Sequence, residues 1–271
     1  MTRHRRTRRL SIALVIGGLA AAVFSPPAHA DWSRPSVSDH FTPIYNEGLA
    51  TDRHGFLHPR GWLSIRPELA AQGWTHIGDQ DIHGGYTYDV YEDLDAGRKL
   101  FTITSPTGRF TRYDHVLEPG ERANNSFVTV DPTGEHLVNG EWFVMKRLLV
   151  FDNPKGEPSG STIPIAGEIR LDKPLENVQS CDFVTAERLA CAVDEPVNRV
   201  VSVTLSAPVG SAKVVDATVT PEFDLPKRSV CTGTYESEGI DYDTRRRVLS
   251  VAMINPSPCF VGTKVFRYRA K

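Results

Sequence analysis

EGLATD (residues 47–52) and EGIDYD (residues 238–243) are two copies of one pattern, a Glu-Gly pair followed by a short strand that ends at an aspartate. Similar segments begin at Ser126 (SFVTVD) and at Gln179 (QSCDFV), and a less regular one begins at His76 (HIGDQDIHGG). Further strand-like segments rich in β-branched and aromatic residues, such as KRLLVF and VVSVTL, follow these copies. The chain therefore repeats one small unit of strands and turns.

The spacing of the copies indicates the fold. Anchors at Glu47, Ile77, Ser126, Gln179 and Glu238 are separated by 30, 49, 53 and 59 residues. Repeats of about 40 to 50 residues with about four strands each are typical of β-propeller blades. We therefore predict an all-β protein, a β-propeller of five blades of mostly four strands, whose N-terminal segment is a candidate to complete the last blade. A β-sandwich or an irregular double sheet is the alternative.

The first 30 residues have the three regions of a secretory signal peptide. They contain five arginines and no acid, an apolar run over Leu10–Phe24, and the small-residue site Ala28-His29-Ala30. An uncleaved anchor is the alternative, but a membrane span needs about 20 apolar residues. We predict a signal peptide over 1–30, an N-terminal extension over 31–45 and one propeller domain over 46–271. The mature protein is then secreted, extracellular and free of the membrane.

Removal of the signal peptide changes the charge balance. The whole chain has 31 basic and 33 acidic residues and a net charge of −2. Without the five N-terminal arginines the net charge becomes −7, because 26 bases remain against 33 acids. Nucleic-acid binding needs a basic face. We therefore expect no nucleic-acid partner, and we expect a monomer.

Four cysteines follow residue 180, and a secreted protein meets an oxidising compartment, so two disulfides are predicted. Cys181 and Cys191 flank a short hairpin, and Cys231 and Cys259 bracket the last strand-rich segment. We predict these two local pairs among the three possible connectivities. Paired cysteines at zinc-site spacing are absent from the sequence.

The first strand of each propeller blade lines the central channel, so the opening residues of the copies are expected to converge there. The polar residues concerned are Glu47, the segment His76 to Asp81, Asn125, Ser126, Gln179 and Glu238. Carboxylates in a narrow channel repel one another unless a cation, an amide or a proton neutralises them. We predict Asp81, Ser126 and Gln179 as ligand-binding residues. The alternative is that these groups bond one another and channel water, and so only hold the blades together.

His76 and Asp79 are the candidate catalytic residues, because an imidazole and a carboxylate can act as acid and base or as metal ligands. In a regular strand their side chains lie on opposite sides. A bulge at Gly78 would change that relation. A turn in which the aspartate caps the backbone is the alternative.

The two hexapeptides resemble the Glu-Gly-hydrophobic blade openings of gluconolactonase-like and phytase-like propellers. That resemblance implies an axial divalent ion, often calcium, held by a glutamate and by Asn and Asp residues of other blades. It would be held here by Glu47 or Glu238, with Asn125 as an amide ligand. The chain departs from the pattern because it has five copies rather than six, and because Ser126 and Gln179 occupy openings where a charged ligand is expected.

The sequence thus favours a secreted binding or scaffold protein that holds a cation or a small polar ligand in its axial channel. The alternative is a calcium-dependent hydrolase of lactones or phosphoesters, with the metal at Glu47, Asn125 and Glu238 and with His76 or Asp79 as base. A propeller that binds proteins through its faces is the third possibility. The sequence lacks a G-x-S-x-G elbow, a Walker loop and an H-E-x-x-H pair.

Overall fold

The computed structural model describes residues 32–93, 97–123, 126–141, 143–259 and 261–271. The predicted signal peptide and Asn125 lie outside this part of the chain. The strands that the model describes are β1 Ser36–Phe41, β2 Gly48–Thr51, β3 Leu57–Arg60, β4 His76–Ile77, β5 Asp81–His83, β6 Tyr86–Asp93, β7 Arg98–Thr104, β8 Phe110–Val116, β9 Thr129–Val130, β10 His136–Asn139, β11 Val144–Asp152, β12 Gly167–Thr185, β13 Arg188–Glu195, β14 Arg199–Leu205, β15 Val214–Asp224, β16 Glu236–Asp243, β17 Val248–Ile254 and β18 Gly262–Arg269.

Helical structure in the described residues is short. It comprises α1 (Thr42–Tyr45), the 3-10 turn Trp62–Ser64 and α2 (Pro67–Ala70). The segment PELAAQG places a proline at the first turn of α2, where a missing N–H costs nothing, and Gly73 follows the end with a positive φ of 94°. No helix in this part of the chain is long and apolar enough to cross a membrane.

The strands pair mostly antiparallel, with β12 and β15 as a parallel pair. β16, β17, β18 and β1 make a four-stranded sheet in which β1 pairs with β18, so the N-terminal segment does complete the last sheet. β6, β7 and β8 form a second sheet, and β4 and β5 both pair with β6. β2 and β3 form a two-stranded sheet.

β12 joins the remaining strands into one seven-stranded sheet in the order β13-β14-β15-β12-β11-β10-β9. Its first part pairs with β11 and with β15, and its last part pairs with β13. One long strand thus belongs to two groups of strands. The predicted count of five blades stays a prediction, because two groups share β12 and the first group has only two strands.

The core lies between groups of strands that stack on one another, two of which share β12. One buried layer packs β6 to β8 against β10 and β11, another packs β11 against β12 to β15, and a third packs β13 and β14 against β16 to β18. β13 is therefore buried on both faces, whereas the outer strand β15 alternates exposed and buried residues over most of its length. Sheets stacked face to face in sequence order are the arrangement of a propeller. The chain is an all-β β-propeller.

Five segments line the axis, and we call them the inner segments: 47–51, 78–82, 126–130, 179–183 and 238–242. The second and third run parallel, joined by a hydrogen bond from the Asp79 N–H to the Ser126 carbonyl (2.6 Å) and one from the Val128 N–H to the Asp79 carbonyl (3.1 Å). Asp79 therefore lies level with Phe127, and Gly78 rather than Ile77 lies level with Ser126. A bulge causes the shift, because residues 78–80 oppose only two residues of β6.

Both predicted disulfides are present. Cys181–Cys191 links β12 to β13, where the two residues face each other in the strand register. Cys231–Cys259 links the loop before β16 to the turn after β17. Disulfides are typical of proteins in oxidising compartments.

Candidate functional site

The opening residues of the inner segments meet at one end of the axis. A cavity of about 340 Å³ is lined there by four glutamates, and we call it the glutamate cavity. The residues that line it include Glu47, Trp62, His76, Glu92, Ser126, Gln179, Glu236 and Glu238. Five of the seven described residues predicted for the site thus lie together, namely Glu47, His76, Ser126, Gln179 and Glu238.

His76 lies between two of the glutamates. Its Nε2 is 3.1 Å from Oε2 of Glu47, and its Nδ1 is 3.0 Å from Oε1 of Glu92. The contact with Glu92 is an ion pair whose geometry is not that of a hydrogen bond. Burial alone would lower the pKa of His76, but the two carboxylates outweigh it and raise the pKa to about 10. The imidazole is therefore a cation at neutral pH, which suits a charge partner rather than a general base.

Glu238 is the least satisfied acid of the cavity. It is 9% exposed, and among the described residues its carboxyl group has no hydrogen-bond partner. Burial raises its pKa well above the usual value, and the nearby Glu47 and Glu236 raise it further. Burial and Asp194 likewise raise the pKa of Glu236.

Gln179 connects this cavity to the neighbouring strand β13. Its Nε2 donates to Oδ2 of Asp194 (3.1 Å), whose other oxygen accepts the N–H and the hydroxyl of Ser237. The side-chain amide therefore supplies the cavity with a neutral dipole that is already oriented by a carboxylate.

Asp79, predicted as catalytic, lies deeper than the glutamate cavity and joins three inner segments. Its Oδ1 accepts the N–H of Leu49 (2.7 Å), and its Oδ2 accepts the N–H of Ile240 (3.0 Å) and the hydroxyl of Ser180 (2.6 Å). Burial raises the pKa of Asp79, and these bonds oppose the rise. His76 thus faces the cavity, whereas Asp79 bonds to the backbone and side chains of other inner segments, so the two candidate catalytic residues do not share a site.

Asp81 lies at the opposite end of the axis, in a cavity of about 470 Å³ that it shares with Asp182 and Asp241. Each of these carboxylates accepts a backbone N–H from another inner segment, namely from Val130, Tyr242 and Thr51 respectively. We call these residues the aspartate ring. The charged and titratable groups that also line the cavity are Asp52, Arg53, His83, Tyr242, Asp243 and Arg245.

The aspartate ring holds the inner segments together through hydrogen bonds, but the burial and mutual repulsion of its carboxylates are unfavourable. Burial, followed by the mutual repulsion of its members, raises the pKa of Asp182 to about 7, and the same two effects bring Asp81 and Asp241 to about 7. Sequence reasoning missed Asp182 and Asp241. Both hold the same position in their inner segments as Asp81, but this match appears only in the observed register, in which Gly78 rather than Ile77 lies level with Ser126.

Metal-ligand geometry is not seen in the part of the chain that is described: no group of three or more His, Cys, Asp or Glu side chains there could hold a metal ion. Asn125, the predicted amide ligand, falls outside the described residues. The calcium site therefore stays a prediction.

No protein-family model and no curated protein matches the sequence. Among solved structures, a chain of the "Crystal Structure of Mitotic Checkpoint Complex" matches 72% of this chain with 13% identity and a TM-score of 0.41. The β-propeller domain of Cps50 (Swd1) from Myceliophteria thermophila matches 62% with 13% identity and a TM-score of 0.34. This chain spans 49% and 50% of the lengths of these two chains.

These similarities are distant, so the protein is assigned to a class from the arrangement of its own strands and sheets. It is a β-propeller with acidic cavities at both ends of its axis.

Proposed function

We propose that the protein is a binding protein whose glutamate cavity takes an organic cation that carries an ammonium or guanidinium group. The observation that carries this proposal is Glu238, a residue that is only 9% exposed, lines the cavity and has a carboxyl group with no hydrogen bond from any described residue. A buried acid without a partner is costly. A ligand that pairs with it would recover that cost on binding.

The charge balance of the cavity supports a cation. Glu47 and Glu92 already share the positive charge of His76, which leaves Glu236 and Glu238 without a basic partner among the lining residues. In the absence of a ligand, protonation relieves their repulsion, as their raised pKa values indicate. A bound cation would do the same while the acids stay ionised.

An organic cation suits the cavity better than a bare ion. A volume of about 340 Å³ accommodates a ligand of several heavy atoms. Trp62 lines the cavity and is 56% exposed, and an aromatic ring beside the acids suits an organic cation. The two disulfides favour an oxidising compartment, so we place this role outside the cell.

Calorimetric titration with butylamine, with butanol as the uncharged control, tests the proposal. We expect butylamine alone to bind, with an affinity that rises from pH 5 to pH 8 because the ligand pairs with ionised Glu238. Binding should release protons, so the measured enthalpy should vary with the ionisation enthalpy of the buffer.

Glu238→Gln separates a binding role from a structural one. We expect it to weaken butylamine binding by about tenfold or more, the loss of one buried charge pair. Its melting temperature at pH 7 should stay equal or rise, because a repelling acid is removed. Glu187→Gln, an exposed acid at the β12–β13 turn, is the matched control and should change neither quantity. A fall in stability with unchanged binding would refute the proposal.

Calcium is the competing occupant that the sequence resemblance suggests. Elemental analysis of the purified protein, with melting followed with and without a chelator, distinguishes the two. Bound calcium and a chelator-dependent fall in melting temperature, with no binding of butylamine, would replace the organic cation with the metal. The hydrolase alternative depends on that metal and stays a sequence-based hypothesis.

A further inference from the structure

An exposed apolar surface borders the glutamate cavity. We call it the apolar rim, and its members are Phe41, Ile44, Trp62, Leu63 and Val261. Their exposed fractions range from 39% for Ile44 to 71% for Leu63. Isolated exposed apolar residues are normal on a protein surface, but a contiguous group of five, two of them aromatic, marks an interaction site.

The rim is contiguous because α1, the Trp62–Ser64 turn and the start of β18 meet there. The Thr42 N–H, next to Phe41, donates to the Val261 carbonyl (3.2 Å). The Trp62 N–H donates to Oδ1 of Asn46 (3.3 Å) at the end of α1. Gly61 packs so closely on α1 that a Cβ there would lie 2.8 Å from the Ile44 carbonyl carbon.

Trp62 belongs both to the rim and to the wall of the glutamate cavity. The acidic cavity therefore opens beside the apolar surface. On its other side it adjoins a second cavity of about 370 Å³, which shares Gln179 and Glu236 with it and adds Asp194 and Glu195. The three features form one extended surface that is longer than a small free cation needs.

A third exposed aromatic side chain, that of Phe143, lies beside this surface. Phe143 has a positive φ of 65° and is 61% exposed. Its carbonyl accepts the N–H of Asn177 (3.0 Å), which lines the second cavity. A bulky residue held in the left-handed region is strained, and such strain clusters at functional sites.

We propose that the ligand of this surface is a polypeptide segment that inserts a lysine or arginine side chain into the glutamate cavity and lays flanking apolar residues on the rim. The inference rests on the proposed function, since it requires that the cavity take a cation. Charge complementarity selects the basic anchor, and the rim supplies the apolar contacts that surround such an anchor in peptide and protein interfaces. A free small amine would use the cavity and leave the rim exposed.

Blocked synthetic peptides test this inference. The probes are a pentapeptide with a central lysine between leucines, the same peptide with a central glutamine, and a single blocked lysine. We expect the lysine pentapeptide to bind about tenfold more tightly than the blocked lysine, because it also covers the rim. The glutamine pentapeptide should bind at least tenfold more weakly than the lysine pentapeptide.

The double variant Phe41→Ser/Leu63→Ser isolates the contribution of the rim. It should bring the affinity for the pentapeptide down to that of the blocked lysine and leave the affinity for the blocked lysine unchanged. Val230→Ser, at a site 97% exposed and outside the rim, is the control and should change neither.

The outcomes separate the two proposals. If the blocked lysine binds and the pentapeptide binds no more tightly, the polypeptide partner is refuted and the cation site stands. If neither binds, the proposed function fails as well. If the rim variant weakens both probes equally without a change in melting temperature, the rim belongs to the small-cation site and the docking surface is refuted.

Discussion

Gly48, the glycine of EGLATD, lies where a side chain has no room. A Cβ there would be 2.2 Å from Oδ1 of Asp79 and 2.5 Å from its Cα. Gly239 of EGIDYD is similar, because its Cβ would lie 2.8 Å from the Cα of Gly48. The Glu-Gly pair thus serves two needs: the acid faces the cavity, and the glycine allows three inner segments to close around Asp79.

Gly48→Ala should therefore destabilise the protein strongly. The methyl group would displace Asp79 and break its bond from the Leu49 N–H, which we expect to cost about 3 kcal/mol or more in urea unfolding. Gly262→Ala is the matched control in a strand with space, since the nearest atom to its Cβ would be 3.6 Å away. We expect a change within about 0.5 kcal/mol there. Equal stability of the two variants would contradict this account.

The meeting of Glu47 and Glu238 could be predicted at this scale, because both residues open repeat copies. The hydrogen bonds of Asp79 could not. They reach Leu49, Ser180 and Ile240, up to 161 residues away, and they depend on a bulge that no local pattern fixes. The sequence therefore identifies which residues approach the axis better than it identifies what each one contacts.

At the scale of elements, the two disulfides differ in how deeply they are buried, although both join cysteines that are close in sequence. Cys181 and Cys191 are at most 1% exposed and lie in a core layer between sheets. Cys231 and Cys259 are partly exposed in a loop and a turn. Sequence spacing predicts the partners, but burial depends on how the sheets stack.

Native-state reduction should distinguish these disulfides. We expect mild dithiothreitol followed by alkylation to label Cys231 and Cys259 only, because the other pair opens to solvent only on unfolding. Loss of a link that spans 28 residues should lower stability by about 3 kcal/mol. Mass spectrometry of the alkylated peptides gives the assignment, with urea-unfolded protein as the control in which all four label. Native labelling of Cys181 and Cys191 would contradict the assigned burial.

The molecule as a whole concentrates acids along its axis, and this determines how its stability depends on pH. The aspartate ring has pKa values of about 7 in the fold, against a usual 3.8, so the folded state binds more protons than the unfolded state between these values. Its members therefore destabilise the fold increasingly as pH rises from about 4 to about 7, and by a constant amount above that range. His76 also makes the fold less stable as pH rises. Its pKa is raised to about 10, so its contribution to the free energy of unfolding is fully present below pH 6.5 and is lost as pH rises towards 10.

Glu121 makes the fold less stable at low pH. It lies between Lys99 and His115 in a buried cluster. Burial opposes its ionisation, but hydrogen bonding to His115 and the charge of Lys99 outweigh that effect and lower its pKa to about 2. Its contribution to stability is thus present above pH 4.5 and is lost as pH falls towards 2. The opposing trends predict a maximum of stability near pH 4, where the loss from the three aspartates begins to exceed the gain from Glu121.

Urea unfolding at pH 5, 6, 7 and 8 should show a free energy of unfolding that falls with pH by several kcal/mol in total, most steeply below pH 7. Asp241→Asn tests the source of the slope. Its amide can still accept the Thr51 N–H at Oδ1 and can donate to the Thr51 hydroxyl, so the linkage survives while the charge is lost. The variant should be more stable than the native chain at pH 8, and its free energy of unfolding should fall less steeply with pH.

Asp152→Asn, with a side chain 86% exposed, is the control and should keep the native slope of free energy against pH. An unchanged slope in Asp241→Asn would show that the aspartate ring is not its source.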